Sequence, residues 1–391
     1  DTFDNYTQKW CVIDLYYRQF LENYRKTNQH TVLTKLCEEL SKIYSNKWLL
    51  GLSEKWQHLI DNENSWYFGE KTQRAFYSHC LKPRYLDKQT KVFVVISDAL
   101  RYECGKELHE KINREHKRLG SELDYQITGL PSYTQLGMAA LLPHKEISLA
   151  EGDDILIDGK STKGLISRTK ILSENSPTRS TAILAEDLMK ISTRSDAAKM
   201  LVQNHDVVYI YHNRIDKVGD DKTSEEKLVD SVREEINFLI EIVRKITNMN
   251  GNHIVITSDH GFIYQHDVLD QSDFLNIKLE GRIAKESRRY VIGNALSSSE
   301  NFMAFSAKSL QINNDTDILI PKGINRLRKQ GSGSRYVHGG ASLQEVVTPI
   351  LFIQRKREDT LREVEIDIIN LSNNRITTNI HRVQFYQKES I

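Results

Sequence analysis

The chain is 391 residues long, with 39% hydrophobic and 27% charged residues, a globular composition that excludes intrinsic disorder and collagen-like structure. Its 54 Lys and Arg stand against 53 Asp and Glu, a net charge of +1 that excludes an overall polyanion-binding charge. No run of about 18 apolar residues is present to span a membrane, and six prolines and 19 glycines form no low-complexity linker.

The length allows two domains, or one large domain with an appendage. The opening DTFDNYTQKW starts on Asp1 and lacks the basic-then-apolar order of an export signal, so the sequence reads as a piece of a longer protein. Cys11, Cys37, Cys80 and Cys104 form no CxxC pair, which fits reduced thiols in a cytoplasm better than a disulfide framework.

Residues 1–90 read as helical. Trp10, Ile13, Tyr17, Phe20 and Tyr24 recur at steps of three and four, as do Leu33, Leu36, Leu40 and Ile43, and a third stretch covers Phe76 to Leu81 before Pro83 breaks it. Trp10, Tyr16, Tyr17, Trp48 and Trp56 in this region suit either core packing or a docking face for partner proteins. From Lys91 the pattern changes. VFVVIS (92–97), HDVVYIY (205–211) and NHIVITS (252–258) are continuous β-branched and aromatic runs, as expected of strands buried on both faces. YQITGL (125–130) reads as another strand, and helices are predicted over 103–117 and 224–247. Strand alternating with helix predicts an α/β fold: a doubly wound, mostly parallel sheet between helical layers, preceded by the N-terminal helical segment. RRYVIG, FMAFSA and DILIPK follow as short strands. VVTPILFI (346–353) and VEIDII (364–369) come last, which gives a core of 91–358 and a strand-rich tail, 359–391, expected to pack on it.

Parallel sheets present their chemistry where strands end. Asp98 follows the first core strand, Asp259-His260-Gly261 follows the strand at 252–258, Asp216 and Asp220 follow the strand at 205–211, and His338 lies in the glycine-rich YVHGGASLQE. Each has an ordinary reading: a turn former, a helix cap, a solvated face. Convergence of several carboxylates at one edge would instead repel strongly unless cations neutralised them. In LPSYTQLGMAALLP (130–143), Ser132 and Gln135 have capping-box spacing, while Thr134 falls in the first helical turn, where the positive helix end favours an alkoxide or phosphate.

VVISDALRYE (94–103), PSYTQLGMAALLP, IDKVGD (215–220), TSDHGF (257–262) and HGGASLQEVVTP (338–349) together resemble the PglZ proteins of BREX phage defence, members of the alkaline phosphatase superfamily. The resemblance covers about 90–355, and the helical 1–90 resembles the stretch ahead of the PglZ core. It implies a hydrolase of phosphate esters, either phosphatase or phosphodiesterase and nuclease, with a hydroxyl nucleophile at a two-metal site. It assigns one metal to Asp98, Thr134, Asp259 and His260, and the other to Asp216, Asp220 and His338, with Thr134 as nucleophile. Asp220 stands where the superfamily pattern D-x-x-G-H has histidine, which adds a carboxylate: four carboxylates balance two divalent cations. The resemblance points to zinc first, and the oxygen-rich set also suits manganese or magnesium. Other BREX components are the implied partners, and an inactive metal-binding component that binds nucleic acid or partner proteins is the alternative. Arg101 and Arg335 are candidate substrate contacts. Ten Lys and Arg between 282 and 335 oppose four acids, a basic segment ending in RLRKQGSGSR (326–335) that suits DNA or another polyanion.

Overall fold

The structure, a computed structural model, describes residues 2–27, 30–61, 66–329, 333–356, 366–369 and 384–387. Its centre is a six-stranded sheet made of β1 (Val92–Ser97), β2 (Leu119–Ile127), β3 (Ser180–Leu184), β4 (Val207–His212), β5 (His253–Thr257) and β6 (Val347–Arg355), in the order β2-β6-β5-β1-β4-β3. β3, β4, β1 and β5 are mutually parallel, and β6 runs against both β5 and β2.

The buried runs form the centre because both sheet faces are covered. Along β1, Val92, Val94 and Ile96 enter one core while Phe93 and Val95 enter the other. The first core receives the helix Thr134–Ala140 through Leu136 and Met138. The second receives Leu228–Asn248 through Leu228, Val232, Ile236, Leu239 and Val243, and Tyr102–Glu115 through Cys104, Leu108 and Ile112. A separate antiparallel sheet collects Arg282–Glu286, Val291–Asn294, Asp317–Pro321 and Phe302–Ser306, in that order. No helix of the described residues is long and apolar enough to cross a membrane.

The N-terminal segment is helical, with Cys11–Lys26, His30–Ile43, Leu50–Ile60 and Phe76–Leu86. Pro83 lies inside the last of these, not beyond its end. The turn there is widened to i+5 spacing, which gives the pyrrolidine ring room. These helices merge with the sheet's cores: Tyr6, Cys11, Trp56, Phe76 and Leu81 join one, and Leu21 and Cys37 the other. The aromatic docking face is thereby corrected. Trp56 is buried, Trp10, Tyr17 and Trp48 are half-buried against the cores, and of the five only Tyr16 is exposed. In the tail, Ile366–Ile369 and Gln384–Gln387 pair antiparallel with each other. The rest of 359–391, and residues 330–332 of the basic loop, lie outside the described residues.

Candidate metal centre

Parallel alignment delivers β1, β4 and β5 to one edge, so the residues after them are neighbours despite their separation in sequence. The loops lock together through main-chain donors. Asp98 N–H donates to the His212 carbonyl at 2.9 Å, Ala99 N–H to Asp259 Oδ1 at 3.0 Å, and Leu100 N–H to Ser258 Oγ at 2.8 Å. Asp216 and Asp220 sit on the short helix Ile215–Asp220. His338 follows the strand Tyr336–Val337, which pairs with Ile263–Tyr264 and so places His338 beside the loop carrying His260. The Tyr336 hydroxyl donates to Asp216 Oδ1 at 3.0 Å.

Asp98, Asp259 and His260 bring one ligand atom each within 4.8 Å of one another, and so do Asp216, His260 and His338. His260 Nδ1–H donates to the Gly261 carbonyl at 2.9 Å. That bond fixes the neutral tautomer and leaves Nε2 unprotonated, 3.0 Å from Thr134 Oγ1, 3.6 Å from Asp98 Oδ1 and 3.5 Å from Asp259 Oδ2. His338 Nε2 lies 3.6 Å from Asp216 Oδ1 and 3.7 Å from Asp220 Oδ1. Asp220 closes the set from the rim, its side chain 62% exposed.

The electrostatics are those of crowded carboxylates. Burial, then the charges of Asp259 and Asp216, raise the Asp98 carboxyl well above its ordinary range. Burial also raises Asp216, with Asp220 adding to it against His338. Burial lowers His260. For His338 burial acts downward, but hydrogen bonding to Asp220 and the charge of Asp216 outweigh it and raise the imidazole to about 9. Asp220 is held low by His338 in spite of burial.

Divalent cations fit this donor set. Asp98 Oδ1 and Asp259 Oδ2 are buried and have no hydrogen-bond partner among the described residues, although buried polar atoms are nearly always satisfied. Carboxylate oxygens with imidazole nitrogens suit zinc, manganese or magnesium.

The predicted ligands Asp98, Asp216, Asp259, His260 and His338 thus converge beside Thr134, with Asp220 at the edge. Two other expectations, for Arg101 and Ser132, are corrected. Arg101 turns away from the cluster: it is buried, ion-paired with Asp14 at 3.3 Å and stacked over Phe262 at 5.0 Å, so it contacts no substrate phosphate. Arg335 pairs with Glu226 at 3.1 Å. Ser132 does not cap the helix; its hydroxyl donates to the Gly340 carbonyl at 2.6 Å, because the helix begins two residues later.

A cleft of about 310 Å³ opens beside Thr134, lined by Tyr133, Asp220, Tyr290, Lys329 and His338 among others. A larger groove of about 760 Å³, between Tyr67–His79 and Lys308–Asn313, contains none of the clustered residues. The basic segment borders the cleft, but most of its charge is committed elsewhere. Arg289 forms a two-pronged pair with Glu345, both fully buried, and Arg288 and Arg326 are buried and donate to backbone carbonyls. Lys285, Lys308, Lys322 and Arg335 are ion-paired. Arg282, Arg328 and Lys329 are exposed and have no carboxylate within salt-bridge distance among the described residues. Sequence reasoning missed three residues here. Lys329 acts on Asp220 from the cleft rim, Arg168 lies over the Tyr211 ring within electrostatic reach of Asp98, and Tyr336 holds Asp216. None carried a spacing signal; only the position of Lys329 in a basic run pointed to it.

A family model described as the BREX system PglZ alkaline phosphatase-like domain matches residues 76–353. The chain is 39% identical over 334 residues to the alkaline phosphatase-like protein BrxZ of Escherichia coli, covering 83% of this chain and 38% of that protein. It is 34% identical over 405 residues to the alkaline phosphatase-like protein PglZ of Bacillus cereus, covering all of this chain and 46% of that one. The chain therefore spans less than half the length of these curated relatives. Among solved structures, murine ectonucleotide pyrophosphatase/phosphodiesterase 5 aligns with a TM-score of 0.43 at 10% identity, over 68% of this chain and 88% of that one. Phosphonoacetate hydrolase from Sinorhizobium meliloti aligns with a TM-score of 0.44 at 10% identity, over 68% and 90%.

Proposed function

Since the chain belongs to the PglZ family of BREX alkaline phosphatase-like domains, we propose that it is a metal-dependent phosphoesterase of bacterial defence against phage. Asp98, Thr134, Asp259 and His260 would hold one divalent cation, and Asp216, Asp220 and His338 the other. Bound cations would supply a lowered pKa to the Thr134 hydroxyl and positive charge opposite phosphoryl oxygens.

Thr134 is the nucleophile in this reading. Its Oγ1 loses its proton and forms a bond to phosphorus as the ester P–O bond breaks and the leaving oxygen takes up a proton. Water then attacks phosphorus, breaks the Thr134 O–P bond, releases phosphate from a monoester or a phosphomonoester from a diester, and returns a proton to Oγ1. Without a cation the neutral His260 Nε2 accepts the Thr134 hydroxyl hydrogen bond at 3.0 Å; a bound cation would take that nitrogen as its ligand and so stand next to Oγ1. The single observation that carries the reading is this hydroxyl at the meeting point of two carboxylate–imidazole groups. Zinc is the first candidate metal, a cytoplasmic site of action and other BREX components as partners belong to the same reading, and Lys329 and Arg168 replace Arg101 as substrate contacts beside Arg335.

The test is hydrolysis of a chromogenic monoester, a chromogenic diester and DNA, each with zinc, manganese or magnesium. The expected result is turnover with at least one pairing and its loss in Thr134→Ala at nearly unchanged metal content. No turnover by metal-loaded protein on any substrate, or near-parental turnover in Thr134→Ala, overturns the reading.

A further inference from the structure

Three of the segments that carry the clustered acids and imidazoles, those after β1 and β5 and around His338, are held from behind by buried side chains of the N-terminal helical segment. Gln73, fully buried, donates its amide to the carbonyls of Ser258 at 2.9 Å and Asp259 at 2.8 Å. With two carbonyls facing it, the amide has one tolerable orientation, nitrogen inward. Trp56 Nε1–H donates to the Ala341 carbonyl at 2.7 Å, three residues after His338. Asp14 pairs with Arg101, three residues after Asp98, and accepts from Gln344 on the other side at 3.3 Å. Asp14 is itself fixed by the Tyr6 and Tyr44 hydroxyls at 2.9 and 2.8 Å and by Trp48 Nε1–H at 3.0 Å.

The contacts of Gln73 and Trp56 fall on backbone rather than on ligand side chains, so their effect is to set where the ligand atoms stand. Asp259 shows it most clearly. Its Oδ1 accepts from Ala99 and His260 N–H, its carbonyl accepts from Gln73, and only Oδ2 is left for a cation. We propose that the N-terminal helical segment is a built part of the metal centre, with Gln73 and Trp56 as positioning residues for the ligand loops after β5 and around His338. The inference rests on the metal-site reading above.

The test uses the whole chain. Gln73→Leu keeps the side chain's size and removes both donations. Trp56→Phe keeps an aromatic ring and removes one. Zinc affinity is measured by competition with a chelator, and ligand geometry by the visible absorption of the cobalt(II)-loaded protein, with Asp259→Asn as control. Displaced supporting contacts of this kind weaken metal binding about tenfold or more. That loss and a shifted cobalt spectrum, with unchanged far-ultraviolet circular dichroism, are the expected result. A purely structural role would lower the thermal midpoint and leave affinity and spectrum as in the parent, which overturns the inference. Should Gln73→Leu fail to fold, Trp56→Phe decides alone. Parental affinity in Asp259→Asn would remove the metal site itself, whereas its loss there with both other variants at parental affinity removes only the positioning role.

Discussion

The imidazole rings of His260 and His338 stack with centroids 4.1 Å apart and planes within 5° of parallel. Neighbouring rings of this kind repel if both are protonated, which agrees with a lowered His260 beside a raised His338; a cation bound between them would displace the His338 proton.

His260 Nδ1 is committed to the Gly261 carbonyl, so His260 has one nitrogen to offer, and His338 faces Asp216 and Asp220 with another. His260→Ala and His338→Ala should each lower bound metal by about one equivalent, and the double variant should hold almost none. Metal analysis of protein purified without chelators reads this directly. Full occupancy in either single variant would remove that histidine from the ligand set.

Metal stabilisation should grow with pH. The folded-state pKa of His338 is raised to about 9 from an ordinary 6.5, and Asp98 is raised well above 3.8. For groups raised on folding, the contribution to the metal-free fold is fully present below the unfolded pKa and is lost as pH climbs through the folded one. The chelated protein therefore loses the His338 contribution between about pH 6.5 and 9, and the loss at Asp98 begins lower, above pH 3.8, while cations meet less proton competition as pH rises. Thermal midpoints with and without zinc should separate more at pH 8.5 than at pH 6.5. A gap that narrows with pH would contradict the assignment.

Salt dependence separates the apparent basic segment from the real one. Ten phosphate contacts would give a slope of log affinity against log salt near about −9, whereas three give about −3. With Arg282, Arg328 and Lys329 as the exposed cations lacking an acidic partner among the described residues, DNA binding at this face should show the shallow slope, and Lys329→Ala should reduce it by about one. Arg289→Ala should act otherwise: it leaves Glu345 buried and unpaired, costs about 3–5 kcal/mol of stability and shows in denaturant unfolding. A slope near the ten-contact value would mean that the buried arginines reach solvent.

What could be read from sequence follows from what sequence encodes locally. β1, β4 and β5 were legible because strands buried on both faces are unbroken apolar runs, and the carboxylates after them inherit their position from parallel pairing. β3, at the sheet edge and half-buried, gives only Ser-Thr-Ala-Ile-Leu and escaped notice. Spacing located Arg101 three residues after Asp98 but not its direction, which is set by Asp14 and Phe262 from distant segments. The Ser132–Gln135 spacing was real, yet the helix starts at Thr134 with Tyr133 at its cap, so Ser132 stands one residue too early to cap it. Gln73 carries no local signal at all, since its partners lie on another element.

Gly137 stands one turn after Thr134, and a Cβ built on it would lie 2.8 Å from the Asp259 Cβ and closer still to the Asp259 carbonyl oxygen. Neither side can yield easily. The helix Thr134–Ala140 is packed into the core through Leu136 and Met138, and the Asp259 carbonyl is held by Gln73. Gly137→Ala gains helix propensity of about 1 kcal/mol, but overpacking costs about 1–3 kcal/mol, so the net effect on stability is small or unfavourable. The larger effect falls on geometry: the added methyl pushes the Thr134 helix away from the carboxylates, and a displacement near 1 Å lowers turnover by about a hundredfold. Ala140→Gly in the same helix is the control, with about 1 kcal/mol of propensity lost and no contact with Asp259 altered. Turnover and metal content measured on both variants should show activity lost only in Gly137→Ala, with metal largely retained. Equal activity in the two would show that the close approach of this helix to Asp259 does not set the position of Thr134.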